Sequence, residues 1–492
     1  MPLLCKTLTA SARINSRANS DSLTLVLGPN LVSLSKSAYP LVLHPSSRNV
    51  ATLTHSSRGT SNTPIASSST SSSSSSRFIS NMATNGEFST GEHAAQAAWQ
   101  KPKADMEEVN AWQQPGPAAY DFRSDTITTP TASMLNAIAH TTLLDDVFVE
   151  DPTTNNLEAH VAALTGHDAA LYVLSGTMGN QIALRTHLTQ PPHAVLCDHR
   201  AHILEWESGG VASLSGALVK GVVPANGLYL TLADIEKHAV LSDDVHACPT
   251  RVISLENTIG GTVTPLADMA AISRWARAHD LKLHLDGARI WEAVASGAGS
   301  LADYCALFDS VSLCFSKGLG APVGSILVGA PAFIKHARWV RKTLGGGLRQ
   351  AGVLTAAARV AVDETFGAGP WGKGGKLQAT HARAKAIGAA WTALGGALEK
   401  PVDTNMVWLD LRAAGVAVGD FVAEGHARGL RFMGGRLVVH YQICDDAVRR
   451  LEDLFAFFLT GDGRAELRRA RNGAGGGTVD AERWKGQRIY FA

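Results

Sequence analysis

Little in this 492-residue sequence points toward a charged or lipid partner. Lys and Arg number 44 against 43 Asp and Glu, a formal net charge of +1. Without a basic excess, a general nucleic-acid binder and an electrostatically held membrane protein are both disfavoured. No apolar run reaches the roughly 18 residues that would cross a bilayer, because each is broken by a charge, Pro, Gly or Ser. Cysteine is sparse: Cys5, Cys197, Cys248, Cys305, Cys314 and Cys444 stand singly, with no CxxC pair. That excludes a disulfide scaffold and a zinc site of cysteine pairs, and reads as a reducing compartment. Aromatics make up only 6%, yet hydrophobic residues reach 45%. Such a composition belongs to a globular protein, and a small-molecule ligand is the class of partner it leaves open.

The first 80 residues hold 22 serines but a single acid, Asp21, alongside Lys6, Arg13, Arg17, Lys36, Arg48, Arg58 and Arg77. A segment so poor in apolar residues cannot bury enough surface to fold, so residues 1–117 are predicted to be a disordered extension. Being rich in Arg and Ser and poor in acid, it has the composition of a mitochondrial presequence. The alternative is a non-targeting extension, or a start at Met82, either of which gives a cytoplasmic location. From residue 118 the pattern changes. The runs ALYVLS, HAVLCD, RVISLEN, LKLHLD and SVSLCFS each end near Gly, Asp, Asn or Ser, and helical periodicity mostly follows. This is the pattern of βαβ units feeding one mostly parallel sheet, with SILVGA close enough behind SVSLCFS to be an antiparallel neighbour. The predicted large α/β domain covers 118–370. After the Gly-rich stretch GAGPWGKGGK, a smaller α+β domain over 371–462 is expected to contain strands in TNMVWLDL and RLVVHYQI. Residues 463–492 read as a charged, Gly-rich tail.

Two side chains at strand ends carry the chemistry. Asp286 closes LKLHLD and Lys317 follows SVSLCFS, so both emerge at the carboxyl edge of a parallel sheet, where α/β folds bind ligands. Alone, the first reads as a helix cap and the second as a lysine reaching for solvent. Together they supply what pyridoxal phosphate requires: an amine for the Schiff base, and a carboxylate that keeps the pyridine nitrogen protonated. The cofactor's phosphate also needs a site. Ser175-Gly176-Thr177 lies between a strand and a helix whose free N–H groups and dipole face an anion. RKTLGGGLRQ is a second anion candidate.

The blocks DFRSDTITTP, DDVFVEDPTTNNLE, SGTMGN, AHILEWESGG, SLENTIGGTVTPL, LHLDGARIWEA, FSKGLGAPVGS and RKTLGGGLRQAG occur in that order. Over about residues 119 to 460 the chain closely resembles L-threonine aldolase, of the low-specificity or L-allo-threonine type. The resemblance implies the type I pyridoxal-phosphate-dependent transferase fold of aspartate aminotransferase: a large, mostly parallel sheet domain plus a smaller C-terminal α+β domain. It implies cleavage of L-threonine or L-allo-threonine to glycine and acetaldehyde, with pyridoxal 5'-phosphate as cofactor and no metal. Lys317 matches the family's Schiff-base lysine, Asp286 its pyridinium partner, and Gly176 and Thr177 its phosphate cup. Arg289, Ser124 and Arg436 match contacts to the substrate carboxylate. His202 matches the histidine that stacks on the cofactor ring and is the candidate base at the β-hydroxyl. Arg349 matches an arginine that reaches the cofactor across a subunit boundary, which implies a homodimer or homotetramer with shared active sites.

The sequence departs from the family pattern at Ile259. Members often carry a histidine after ENT that meets the substrate hydroxyl, and isoleucine cannot hydrogen-bond. The departure favours low specificity, or a preference for L-allo-threonine, over strict selectivity for L-threonine. Because fold does not fix reaction, another pyridoxal-phosphate lyase, a racemase, an aminotransferase or a non-catalytic relative stands as the alternative.

Overall fold

Strand-forming runs that are apolar on both faces build the centre of the structure. The computed structural model describes residues 25–27, 30–32 and 111–461. β1 (Ala169–Val173), β2 (Ala194–Asp198), β3 (Leu218–Val222), β4 (Thr250–Glu256), β5 (Lys282–Gly287), β6 (Ser310–Cys314) and β7 (Ser325–Gly329) form one seven-stranded sheet. Its order is β1-β7-β6-β5-β4-β2-β3. Every neighbouring pair is parallel except the two that β7 makes, antiparallel to both β1 and β6. β2, β6 and β7 are buried at all five positions, as expected of strands covered by helices on both sides. β3 is different. It forms the sheet edge, exposes Leu218 and Gly221, and was not among the expected strands because LVKGV has neither alternation nor a continuous apolar run.

The chain forms two compact units, Met1–Glu92 and His93–Ala492. In the first, Leu25–Leu27 pairs antiparallel with Asn30–Val32, inside the stretch expected to be a disordered extension. The rest of that extension up to residue 110, and the expected tail from 463, lie outside the described residues. Among the described residues of the second unit, the first element is a short 3-10 turn at Gly116–Tyr120. No helix among the described residues is long and apolar enough to cross a membrane.

Of the four apolar clusters among the described residues of the second unit, two bear on the site. One packs the sheet, through Leu285, Val311, Leu313, Trp291 and Phe315. The other joins Phe122 to Trp391, Phe421, Leu437, Phe455 and Phe458. Around the second core are the antiparallel strands β8 (Met406–Trp408) and β9 (Arg436–Val438), shorter than the runs that suggested them. The Gly-rich stretch GAGPWGKGGK folds on itself, Gly367–Ala368 pairing with Lys373–Gly374.

Phe122 is the link that positions the site. Its side chain is fully buried in the second core, its N–H donates to Arg431 O at 2.7 Å, and its carbonyl accepts from Val438 N at 2.8 Å. A few residues on, Thr128 Oγ1 donates to Lys317 O at 2.9 Å. The segment between is therefore stitched to β9 on one side and to the turn after β6 on the other.

Candidate active site

Asp286 and Glu207 share one amide. The helix α1 (Gly176–His187) follows β1 and carries the buried Asn180, whose Nδ2 donates to Asp286 Oδ2 at 2.7 Å and to Glu207 Oε1 at 2.9 Å. Asp286 Oδ1 accepts from Ala288 N at 3.0 Å. Glu207 also accepts from Gln181 Nε2 at 2.6 Å and lies 2.7 Å from His202 Nδ1. A carboxylate offers only acceptors, so His202 donates through Nδ1 and keeps Nε2 for a substrate or water. Burial alone would lower the basicity of His202; its hydrogen bond to Glu207 and the charges of Asp286 and Glu207 outweigh this and raise it above the ordinary value.

On the neighbouring strand Glu256 stands in register with Asp286. Its carboxyl is pushed up to about 7, first by burial and then by the charge of Asp286. Glu256 Oε2 accepts from His202 N at 3.1 Å, which ties the start of the histidine's turn to β4.

Lys317 leaves β6 at the same edge. Its Nζ makes no hydrogen bond among the described residues, and its charge acts on Asp125, Glu256 and His202. Its carbonyl is held by Thr128 and by Gly320 N, 2.9 Å away. The next residue must be small, because a Cβ at Gly318 would collide with the Glu292 carboxylate.

Arg289 is buried beside this group. It meets Asp125 at two points, Nε to Oδ2 at 2.8 Å and Nη2 to Oδ1 at 2.6 Å. Burial would raise the Asp125 carboxyl, but Arg289 outweighs it and holds the group at about 2. Arg436, at the start of β9, donates to Arg123 O at 2.9 Å; burial, then the neighbouring Arg289 charge, lower its pKa to about 10. Ser124 caps the short turn containing Asp125, accepting from Thr126 N at 3.2 Å.

Gly176 and Thr177 open α1, with Ser175 Oγ accepting from Met178 N at 3.1 Å. A Cβ on Gly176 would lie 2.7 Å from Cys314 Sγ, so glycine lets the helix start close against β6. The structure thus gathers Lys317, Asp286, His202, Arg289, Arg436, Ser124, Gly176 and Thr177 at one end of the sheet. Arg349 is not brought to them. Its side chain is 80% exposed, 3.8 Å from Asp145 Oδ2. Ile259 is buried and, with Asp198, Tyr229, Leu255, Glu256 and Thr264, lines a cavity of about 10 Å³, room for about one water molecule.

Sequence reasoning passed over Asp125, Asn180, Glu207 and Glu256. Each lies inside a block quoted for a neighbour, in RSDT, SGTMGN, AHILEWESGG and SLENT, and none has a spacing that would single it out.

These residues fit pyridoxal phosphate. A free amine, a carboxylate fixed by donors on both oxygens and a helix start that only glycine allows so near the sheet are the donor set it needs. The fold and this donor set define a pyridoxal-phosphate-dependent enzyme. The chain belongs to the beta-eliminating lyase family, whose model matches residues 121–414.

Among curated relatives it is 58% identical over 354 residues to aldolase vrtJ of Penicillium aethiopicum, covering 72% of this chain and 90% of that protein. It is 47% identical to alanine racemase TOXG of Cochliobolus carbonum, covering 72% and 90%. It is 46% identical to the low-specificity L-threonine aldolase of Eremothecium gossypii, covering 71% and 89%. The solved threonine aldolase of Leishmania major shares the fold, with a TM-score of 0.58 at 21% identity over 69% of this chain and 99% of that one.

Proposed function

We propose that the protein is a threonine aldolase that cleaves L-threonine and L-allo-threonine to glycine and acetaldehyde. The observation that carries this reading is the His202–Glu207 pair, a histidine of raised basicity beside a free lysine amine. When bound, pyridoxal phosphate supplies an electron sink for the pair released as the Cα–Cβ bond breaks. Lys317 would hold it, Asp286 would keep its ring nitrogen protonated, and the start of α1 at Gly176 and Thr177 would receive its phosphate. Arg289, kept charged and oriented by Asp125, binds the substrate carboxylate with Arg436 and Ser124, which sets the bond to be broken at the right angle. His202 Nε2, directly or through water, takes the β-hydroxyl proton, and Glu207 stabilises the imidazolium that results.

Ile259 favours a second reading. Without a hydrogen-bonding side chain at that position the site asks less of a β-hydroxyl, and a relative at 47% identity is named an alanine racemase. Offering L-threonine, L-allo-threonine and L-alanine separately decides between them: acetaldehyde supports the aldolase, and D-alanine without acetaldehyde supports the racemase.

The proposed assembly is a homodimer or homotetramer. Leu143, Leu144, Val147, Phe148 and Val149 are all exposed, close in sequence to Asp145, the ion-pair partner of Arg349. Burying such an apolar strip against a second copy would carry Arg349 toward the neighbouring subunit.

A further inference from the structure

A line of polar groups, buried except at its half-buried far end His187, leads away from Asp286 through the sheet. His284 lies two residues before Asp286 on β5, with its Nε2 3.1 Å from Asn180 Oδ1 and its Nδ1 2.9 Å from Ser310 Oγ. Ser310, the first residue of β6, is 2.8 Å from Nε2 of His187, the last residue of α1. His284 and Ser310 are fully buried, and the His187 ring stacks on Phe333 at 4.5 Å. A fully buried imidazole at His284 and a half-buried one at His187 are costly compared with leucine or phenylalanine, and the proposed reaction uses neither.

Proton counting fixes the direction of every bond. Both N–H groups of Asn180 go to the carboxylates of Asp286 and Glu207, which only accept. Its oxygen must therefore receive a proton, and His284 Nε2–H supplies it. Burial lowers His284 to about 4, so the ring is neutral and its Nδ1 is an acceptor. Ser310 then donates to His284, and its oxygen accepts from His187 Nε2–H. Burial, then the nearby His284, lower His187 to about 3, which keeps that ring neutral as well.

We propose that His187, Ser310, His284 and Asn180 form a one-way hydrogen-bond relay that holds Asp286 and Glu207 as oriented anions, with His284 and His187 as positioning residues. Each donor in such a line polarises the next, so the Asn180 amide is a stronger donor than an isolated amide would be. Because that amide serves both acids, the relay sets the cofactor's nitrogen partner and the partner of His202 together. The inference rests on the cofactor site and not on the choice of substrate.

Two measurements test it. In the cofactor-free protein, nitrogen NMR of the imidazoles should show His284 and His187 neutral and protonated at Nε2 across about pH 6 to 8, the range in which free histidine titrates. A charged ring or the Nδ1–H tautomer at either position would overturn the relay. Equilibrium binding of pyridoxal phosphate gives the second readout. His284→Leu should weaken binding about tenfold, and His284→Gln, which keeps a donor toward Asn180, should recover most of it. His187→Phe, four hydrogen bonds from Asp286, should weaken binding about threefold, and this effect should vanish in a Ser310→Ala background. Folded His187→Phe and His284→Leu proteins that bind pyridoxal phosphate like the wild type would contradict the proposal, whatever their activity.

Discussion

Arg289 and Asp125 meet in a buried two-point ion pair, with contacts of 2.8 and 2.6 Å between residues 164 positions apart. The pair joins the strand-end motif DGAR to the segment that enters the second core through Phe122. Asn405 Nδ2 adds a third donor to Asp125 at 3.3 Å.

Asp125→Asn should strand the Arg289 charge and cost about 3 kcal/mol of stability at pH 7, the usual scale for removing one partner of a buried pair. The Asp125 pKa is depressed in the folded protein, so its contribution is complete above the ordinary carboxylate value and is lost as pH falls toward about 2. Urea unfolding should therefore show a constant gap between wild type and variant from about pH 7 to 5, narrowing below about pH 4. A gap that stays constant to about pH 3 would show that the ion pair is not its source.

Glu207→Gln removes the anion that raises His202. If His202 is the base, kcat/KM of the wild type rises with pH through a pKa above the ordinary histidine value. In the variant that limb should move to lower pH, and the maximal rate should fall at least tenfold. The stability sign is opposite to that of Asp125. A raised histidine pKa contributes fully below the unfolded value and is lost as pH rises through the folded one, so the variant should lose more stability at about pH 6 than at about pH 8. An unmoved pH profile would remove His202 from the base role.

Much of the sheet was legible because β2, β4, β5 and β6 are buried runs that end in polar or small residues. β3 was not, since an edge strand need not be apolar and LVKGV satisfies its backbone through β2 alone. At the site, Lys317 and Asp286 could be read because strand ends announce where side chains emerge. Asn180 and Asp125 could not, because their partners lie 27 to 280 residues away and only the fold brings them together; Glu207 is five residues from His202, but no motif spacing singles it out. The Gly-rich stretch at 367–376 shows the converse: glycine marks conformational freedom, which a tight hairpin uses as readily as a hinge.

Gly176→Ala should raise the dissociation constant for pyridoxal phosphate about tenfold, since the added methyl meets Cys314 Sγ and pushes the start of α1 from the sheet. Cys314→Ala in the same protein should restore much of the loss by vacating that space. Equal binding by wild type and Gly176→Ala would place the phosphate elsewhere.

Ile259→His introduces the hydrogen-bonding side chain that the resemblance to L-threonine aldolase leads one to expect at this position. The ratio of kcat/KM for L-threonine to that for L-allo-threonine should change by about tenfold or more, because a buried polar group discriminates between hydroxyl configurations where an apolar one does not. An unchanged ratio would mean that the cavity beside Glu256 does not face the β-carbon.

The central claim is the bond that is broken. The purified protein, loaded with pyridoxal phosphate, should release acetaldehyde and glycine in equal amounts from L-allo-threonine and from L-threonine. Lys317→Ala should release neither. Conversion of L-alanine to its mirror image by a protein that yields no acetaldehyde from either threonine would contradict the account and make the chain a racemase.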